Sequence, residues 1–420
     1  MKISQTDFTR GLMWNYISII FLAAGGIVFS FLIGFYYDAE TLGNFNLTYA
    51  YYIVFSQVGV WGSHMAVTKY VSEYAGDKRK VNMILSSALL VVVLISTGLG
   101  GLVWGICNFG IRELITESLQ DSMNAVILAV LFFSMNKVIL GYFNGLSRMK
   151  EYAVFQSMRN ILIAFWIIIF AIFKVPGYKI SFCFAYAEII IFLLEVPLVV
   201  IKEKFAICFS MEWMKKVLAF GTRIMPANIV LELSTKVDIL CLSWVLRNEE
   251  MIGIYSFAAL FAEGFYQLFV VIRRSINPLI TQNYIKGRLP DYYKKVTDQV
   301  KKVGYLSGII CLVLLMTGYR ILCFFIGDAG YYAGTFSLLI IASAIVFNMK
   351  SIIFGNILSQ TGNPTAESIN NILTVTSNFA LNILFIFQFG MVGAAIATGT
   401  SYFVFSVNQR LMVRRKLDLY

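Results

Sequence analysis

Long runs without a charged residue alternate with short charged segments along the whole chain. The clearest runs cover residues 11–37, 41–68, 81–111 and 122–147, the last interrupted by Lys137. Each run is at least as long as the roughly 20 residues with which an α-helix crosses the hydrocarbon core of a bilayer. These runs therefore predict four transmembrane helices at the start of the chain.

Eight more apolar segments follow. The fifth and sixth lie near 160–173 and 180–201, on either side of a turn at Pro176-Gly177. Beyond a charged stretch at 202–216, the remaining predicted spans are 218–246, 252–280, 303–326, 332–358, 366–388 and 391–411. Twelve spans of about 20 residues need about 240 residues, so the loops are too short to hold a separate folded domain.

The composition agrees with this pattern. Hydrophobic residues make up 59% of the chain, charged residues make up 14%, and the mean hydropathy is +0.75. A soluble enzyme would have a more polar surface. The sequence therefore predicts an all-α polytopic membrane protein whose activity lies at membrane depth.

The distribution of Lys and Arg tests the number of spans. With twelve spans, 25 of the 34 Lys and Arg residues fall on the side of the N-terminus and five on the other side. Because cytoplasmic loops carry the excess of basic residues, both termini are expected in the cytoplasm. The same asymmetry accounts for the net charge of +11, so no nucleic-acid partner is expected. The four basic residues left over lie inside spans: Lys137, Arg223, Lys236 and Lys350.

The two halves of the chain repeat. A shift of 210 residues aligns the following pairs: Gly11 with Gly221, Glu40 with Glu250, Phe45 with Tyr255, and Tyr74 with Tyr284. A repeat of six spans, an even number, gives two halves of the same orientation, related by an axis along the membrane normal. We therefore predict two parallel six-helix lobes, 1–205 and 206–420, around a central cavity.

Two GxxxG pairs lie within the predicted spans. They are Gly101 with Gly105, and Gly141 with Gly145. Such pairs place two glycines on one face of a helix and favour close packing against a neighbour. We expect a packing role for both pairs.

The chain carries no recognisable motif for a cofactor, a metal ion or a nucleotide. Its six cysteines form no CxxC or Cys/His cluster, and His64 is the single histidine. A phosphate-binding loop of the form G-x-x-x-x-G-K-[ST] is absent from the sequence. We therefore expect buried thiols, a packing role for His64, and no cofactor or metal site.

Several short motifs occur in a defined order. They are FG at 220–221 followed by Pro226 and Asp238 in the seventh span, IGIYS at 252–256 in the eighth, and FGMVGAAIAT at 389–398 at the start of the twelfth. In order and spacing they resemble the Wzx-like polysaccharide flippases of the multidrug and oligosaccharidyl-lipid exporter superfamily. The resemblance covers the whole chain. The sequence TGNP at 361–364 departs from the family, whose members more often carry a basic residue there.

The resemblance implies a MATE-like fold and a location in the bacterial plasma membrane. It further implies transport without enzymatic activity, with an undecaprenyl diphosphate-linked oligosaccharide, such as an O-antigen or capsule repeat unit, as cargo. The partners it implies are membrane lipids together with the polysaccharide polymerase and the glycosyltransferases of the same pathway.

Basic residues inside the spans are candidate binding residues, because a charged side chain at the bilayer centre costs about 2.5–3.5 kcal/mol on insertion scales. An anionic diphosphate needs cations, and Arg matches its geometry best. The predicted cationic cavity consists of Arg223, Lys137, Lys350 and Lys236 inside the spans, together with Arg273 and Arg274 near the cytoplasmic end of the eighth span. Snorkelling at a helix end is an alternative explanation for Arg273 and Arg274.

Acidic residues inside the spans have two possible roles, ion pairing and coupling to transport. Glu232 and Lys236 are spaced i, i+4 in the favourable order for an ion pair. Asp238 points away from Lys236, so it is predicted to pair with another basic residue or to titrate during transport. Both roles remain open for Glu263, Glu188 and Glu195.

A cation-coupled multidrug or metabolite exporter of the same superfamily is the main alternative function. It would bind cationic drugs through the carboxylates in the spans. A polysaccharide polymerase or a glycosyltransferase would need a long external loop, which the predicted topology lacks. A scaffold role leaves the charged residues inside the spans unexplained.

Overall fold

The computed structural model describes residues 25–110, 117–202 and 204–419, and these residues form helices joined by short loops, with no strand. The α-helices are α1 Gly25–Tyr36, α2 Ala39–Val60, α3 Ser63–Glu73, α4 Lys78–Gly105, α5 Glu117–Gly145, α6 Met149–Ile172, α7 Phe182–Pro197, α8 Met211–Leu246, α9 Glu249–Ile285, α10 Leu289–Gln299, α11 Tyr305–Ile326, α12 Gly334–Phe347, α13 Met349–Ile353, α14 Ile357–Gln360 and α15 Pro364–Leu417. Short π-helical or 3₁₀ segments lie at Ile106–Gly110, Gly177–Lys179, Leu198–Lys202, Val300–Gly304 and Ala329–Ala333.

Every predicted span overlaps one of these helices, which confirms an all-α polytopic membrane protein. Eight helical stretches among the described residues are long and apolar enough to cross a bilayer. One of them, α15, contains the last two predicted spans. The backbone leaves the helical conformation at Gly390, with φ 56° and ψ −134°, and this break separates the two spans. The part of the first predicted span that precedes Gly25 lies outside the described residues.

Two of the predicted spans are not continuous helices. The second consists of α2 and α3, which are separated by Trp61 and Gly62 with φ angles of 49° and 65°. Glycine tolerates this left-handed conformation, whereas a tryptophan adopts it rarely. The tenth span is divided among α12, α13 and α14.

The described residues pack into two compact units. The N-terminal unit contains the residues up to Tyr37 together with Asn44–Lys236, and the C-terminal unit contains Asp38–Gly43 and the residues from Val237 onward. The chain passes from the first unit to the second inside α8. The repeat boundary at 205/206 stays a prediction, since it concerns the internal similarity of the sequence.

Close contacts between α3 and α5 hold the N-terminal unit together. The Thr68 hydroxyl donates hydrogen bonds to the carbonyls of Gly141 and His64, at 3.0 and 2.9 Å. A Cβ atom at Gly141 would lie 3.2 Å from the carbonyl carbon of His64, so this helix pair requires a glycine. The other GxxxG pair, Gly101 with Gly105, differs from this one. No described atom lies within 4 Å of a Cβ added at either glycine.

An aromatic core holds the C-terminal unit together. Phe257, Tyr319 and Tyr331 are fully buried and their rings contact one another, with centroids 5.2–5.4 Å apart for the pairs that include Phe257. The Tyr319 hydroxyl donates a hydrogen bond of 2.7 Å to the carbonyl of Tyr331. This core fixes α9, α11 and the segment before α12 against one another, and it thereby positions the polar residues of α9.

Candidate functional site

A buried ion pair lies in the N-terminal unit. Arg159 on α6 donates hydrogen bonds to both carboxylate oxygens of Glu188 on α7, through Nε to Oε1 and through Nη2 to Oε2. Tyr52 and Asn136 donate to the same carboxylate, each at 2.8 Å. Glu188 is 0% exposed and Arg159 is 8% exposed. Four donors from three neighbouring residues therefore satisfy a charge that would otherwise be costly at this depth.

Glu195 lies two turns beyond Glu188 on the same helix and is also fully buried. Neither of its carboxylate oxygens has a hydrogen-bond partner among the described residues. Its charge interacts with those of Glu188 and Arg159. Glu188 thus takes the ion-pair role that the sequence left open, while both roles stay open for Glu195.

Three of the predicted site residues come together in the same unit. Glu232 interacts electrostatically with Lys137 and Lys236. The Lys137 ammonium lies 5.8 Å from the ring centroid of Phe133, and its charge also interacts with Arg159 and Glu188. The Lys236 ammonium lies 5.5 Å from the ring centroid of Tyr49. Both lysines therefore lie within electrostatic range of Glu232, whereas the sequence predicted only Lys236 as its partner.

Arg223 is exposed on α8, one residue after a contact that fixes this helix. The indole nitrogen of Trp61 donates a hydrogen bond of 3.1 Å to the hydroxyl of Thr222. Gly221 packs so closely on Trp61 that a Cβ there would lie 2.8 Å from the Trp61 ring. Trp61, in the break between α2 and α3, therefore contacts the turn of α8 that contains Arg223.

Asp238 belongs to the C-terminal unit. Its Oδ2 accepts hydrogen bonds from the hydroxyls of Tyr255, at 2.7 Å, and Thr398, at 3.0 Å. Tyr402 lies one turn beyond Thr398, and its ring stacks on that of Tyr266 with the centroids 5.6 Å apart. Tyr402 also interacts electrostatically with Asp238 and Glu263. These contacts place Asp238 beside neutral hydroxyl donors.

The other predicted basic residues lie elsewhere in the C-terminal unit. The guanidinium of Arg273 packs against Gly355, whereas Arg274 on the same helix is exposed. The Lys350 ammonium lies 4.7 Å from the ring centroid of Tyr293, and its charge interacts with those of Arg410 and Lys301. A single cavity that unites all six predicted cations stays a prediction.

The sequence pattern missed Arg159. It precedes the span predicted near 160–173, so the pattern places it in a cytoplasmic loop, but it lies well inside α6 and is buried. The signal that points to it is Glu188, an acidic residue within an apolar run that requires a basic partner. Among the described residues, no group of three or more His, Cys, Asp or Glu side chains is arranged to hold a metal ion.

Comparisons with known proteins agree with the fold. A family model described as "Polysaccharide biosynthesis protein" matches residues 8–285. No curated relative matches the sequence significantly.

Several solved structures are similar over nearly the whole chain. A lipid II flippase MurJ in an inward closed conformation is 16% identical, with a TM-score of 0.73, and the alignment covers 96% of this chain and 87% of that one. An inward-facing multidrug resistance MATE family transporter of the MOP superfamily is 13% identical, with a TM-score of 0.75 and coverage of 96% and 94%. A MOP superfamily transporter from Pyrococcus furiosus, whose binding pocket has reversed polarity, is 11% identical, with a TM-score of 0.53 and coverage of 96% and 95%. At these identities the likeness establishes the fold alone.

Proposed function

Because the chain belongs to the polysaccharide biosynthesis protein family, we propose that it is a flippase for undecaprenyl diphosphate-linked oligosaccharides. It moves this cargo from the inner to the outer leaflet of the bacterial plasma membrane by alternating access, and it leaves the covalent structure of the cargo unchanged. Both termini lie in the cytoplasm, where glycosyltransferases complete the cargo. A polymerase receives the cargo on the other side.

The exposure of Arg223 is the observation that best supports this proposal. Arg223 lies five residues inside the predicted span that begins at 218, about 7.5 Å along the axis of α8. Contact with acyl chains is costly for an exposed guanidinium, so the proposal places Arg223 on a path that contains water. A planar guanidinium binds two oxygens of a phosphate at once, which suits the diphosphate of the cargo.

Lys137 and Lys236 supply further positive charge in the N-terminal unit, to which Arg223 also belongs. Glu232 balances part of this charge in the N-terminal unit, since it interacts with both lysines. We infer that this partial neutralisation keeps the diphosphate from binding too tightly to be released. A cargo headgroup must bind on one side of the membrane and leave on the other.

Substitution of Arg223 tests the proposal. In proteoliposomes that contain the lipid-linked oligosaccharide from native cells lacking this protein, Arg223→Ala should slow flipping about tenfold to a hundredfold. A hydrogen bond to a charged group contributes about 1.5–3 kcal/mol, and tenfold corresponds to about 1.4 kcal/mol. The initial rate is measured as the accessibility of the glycan to an added lectin. Arg223→Lys keeps the charge without the bidentate geometry and should give an intermediate rate.

Lys215→Ala is the matched control. Lys215 is an exposed basic residue on the same helix, but it lies before the predicted span. This variant should flip cargo at the wild-type rate. Equal rates for Arg223→Ala and Lys215→Ala would exclude a role for Arg223 in binding the diphosphate.

A cation-coupled multidrug or metabolite exporter is the second candidate function. The observation that favours it is the exposed carboxylate of Glu263 in the C-terminal unit, which could attract a cationic drug. This function predicts efflux of a fluorescent organic cation from proteoliposomes and its loss in Glu263→Gln. A flippase for an anionic lipid predicts no such efflux.

A further inference from the structure

One patch of the C-terminal unit has a chemistry that differs from that of the basic residues. It consists of Asp238 on α8, Glu263 and Tyr266 on α9, and Thr398 and Tyr402 on α15, and we call it the tyrosine patch. The ring planes of Tyr266 and Tyr402 are inclined by only 23°. The hydrogen bond from Thr398 to Asp238 and the ring contact between Tyr266 and Tyr402 connect α8, α9 and α15. Glu263 lies three residues before Tyr266, on the same face of α9.

The tyrosine patch lies at membrane depth and is accessible. Glu263 is fourteen residues beyond the start of α9, about 21 Å along the helix axis, and it is exposed. The side chains of Tyr266 and Tyr402 are partly exposed, whereas Tyr255 behind them is fully buried. An exposed carboxylate at this depth is too costly to face acyl chains, so the patch faces water.

The groups on the patch suit a neutral polyhydroxylated ligand. Tyr and Thr hydroxyls both donate and accept hydrogen bonds, and a carboxylate accepts them from hydroxyl groups. Asp238 already accepts from two hydroxyls, which is the arrangement that a sugar hydroxyl would repeat. The outer face of a stacked aromatic pair offers a flat apolar surface for the C–H face of a pyranose ring.

Two other ligand classes fit less well. The patch has no basic residue, so it offers nothing to attract a diphosphate. An organic cation is held best by several ring faces that surround it. The rings of Tyr266 and Tyr402 are inclined by 23° with centroids 5.6 Å apart, so these two rings do not form such an enclosure.

We infer that the tyrosine patch binds sugar rings of the cargo, while basic side chains elsewhere bind its diphosphate. This inference rests on the proposed flippase function and specifies which residues recognise the glycan. It assigns to Asp238 and Glu263 a role in binding sugar hydroxyls in place of coupling to an ion.

Binding to two lipids tests this inference. The full chain in nanodiscs is titrated with the lipid-linked oligosaccharide that accumulates in native cells lacking this protein, and separately with bare undecaprenyl diphosphate. The wild-type protein should bind the glycan-bearing lipid about tenfold more tightly. Tyr266→Ala combined with Tyr402→Ala should abolish this preference and leave the affinity for the bare lipid unchanged.

Conservative and control variants separate recognition from folding. Tyr402→Phe keeps the ring and should retain most of the preference, and Tyr332→Ala, which removes an exposed tyrosine outside the patch, should retain all of it. Glu263→Gln changes an exposed side chain without disturbing packing and should lower the preference severalfold. If the tyrosine double variant does not fold, Glu263→Gln decides the test.

The outcomes are distinguishable. A wild-type protein that binds both lipids equally, or a preference that persists in the double variant and in Glu263→Gln, would overturn the inference and leave the flippase proposal intact. A wild-type protein that binds neither lipid would instead overturn the proposed function.

Discussion

Glu188 and Arg159 show that a buried charged residue requires a buried partner of opposite charge. They are 29 positions apart in the sequence, but each is a buried charge for which the other supplies the opposite sign. Removal of one partner from a buried pair strands the other charge, which costs more than the pair itself contributes. The pair therefore acts as a constraint on how α6 and α7 pack.

Arg159→Met should lower the free energy of unfolding by about 3–5 kcal/mol, because Glu188 is left charged and buried. The addition of Glu188→Gln should restore part of this loss, since the amide has no charge and still accepts a hydrogen bond from Tyr52. Unfolding in mixed micelles titrated with SDS measures the change.

Lys216→Met is the matched control for Arg159→Met. Lys216 donates a hydrogen bond of 2.6 Å to Glu212, but both side chains are exposed. An exposed ion pair contributes little, so this variant should unfold like the wild-type protein. A double variant at 159 and 188 that is less stable than Arg159→Met would contradict the stranded charge as the cause.

Sequence reasoning located some individual residues and missed others for a physical reason. Lys137 and Glu232 stand out because they interrupt apolar runs, and their interaction is one that the structure shows. Arg159 was missed because a basic residue near the end of a span looks the same in sequence whether it snorkels or pairs inward. Only the tertiary neighbour, Glu188, separates these two cases.

At the scale of elements, the two GxxxG pairs share a sequence pattern but differ in whether a neighbouring helix packs against them. Gly141→Ala should destabilise the protein by about 1–3 kcal/mol, because its Cβ would press against the backbone of α3 at His64. Gly101→Ala meets no described atom within 4 Å, so it should leave stability unchanged or raise it by about 0.5–1 kcal/mol. Thermal unfolding of both variants measures the difference. Equal losses of stability in Gly141→Ala and Gly101→Ala would contradict this difference in packing.

The breaks in the helices could not be predicted from the sequence. Apolar runs predicted the spans well because bilayer thickness demands about 20 apolar residues whatever the packing. The runs carry no signal for the left-handed turn at Trp61-Gly62, since a single glycine inside a helical pattern is common. In the folded protein Gly221 of α8 packs against that turn, a tertiary contact that the runs do not encode.

At the scale of the whole molecule, the charge of the proposed cargo predicts a dependence on membrane potential. If the diphosphate crosses with two negative charges, a potential of 100 mV, negative inside, contributes about 4.6 kcal/mol toward the outside. Flipping should therefore slow when the potential and the ion gradients of proteoliposomes are collapsed together with ionophores. Rates that do not change in fully depolarised vesicles would contradict this energy source.

The class of fold was predictable from the sequence, but the residues proposed to bind the cargo were predictable only in part. Lys and Arg inside spans are visible at once, so the basic candidates were found. The tyrosine patch was not found, because Tyr266 and Tyr402 are unremarkable in a chain with 23 tyrosines. Only their stacking across α9 and α15 marks them.

The composition of the two compact units has a consequence for synthesis on the ribosome. The N-terminal unit includes residues as far as Lys236, so it is incomplete until most of α8 has left the exit tunnel and entered the membrane. Asp38–Gly43 emerges early but belongs to the later unit, where Gly43 packs against Gly253 of α9. This early segment therefore lacks its packing partner until α9 is made, and separately expressed fragments 1–205 and 206–420 would each lack part of a packed unit.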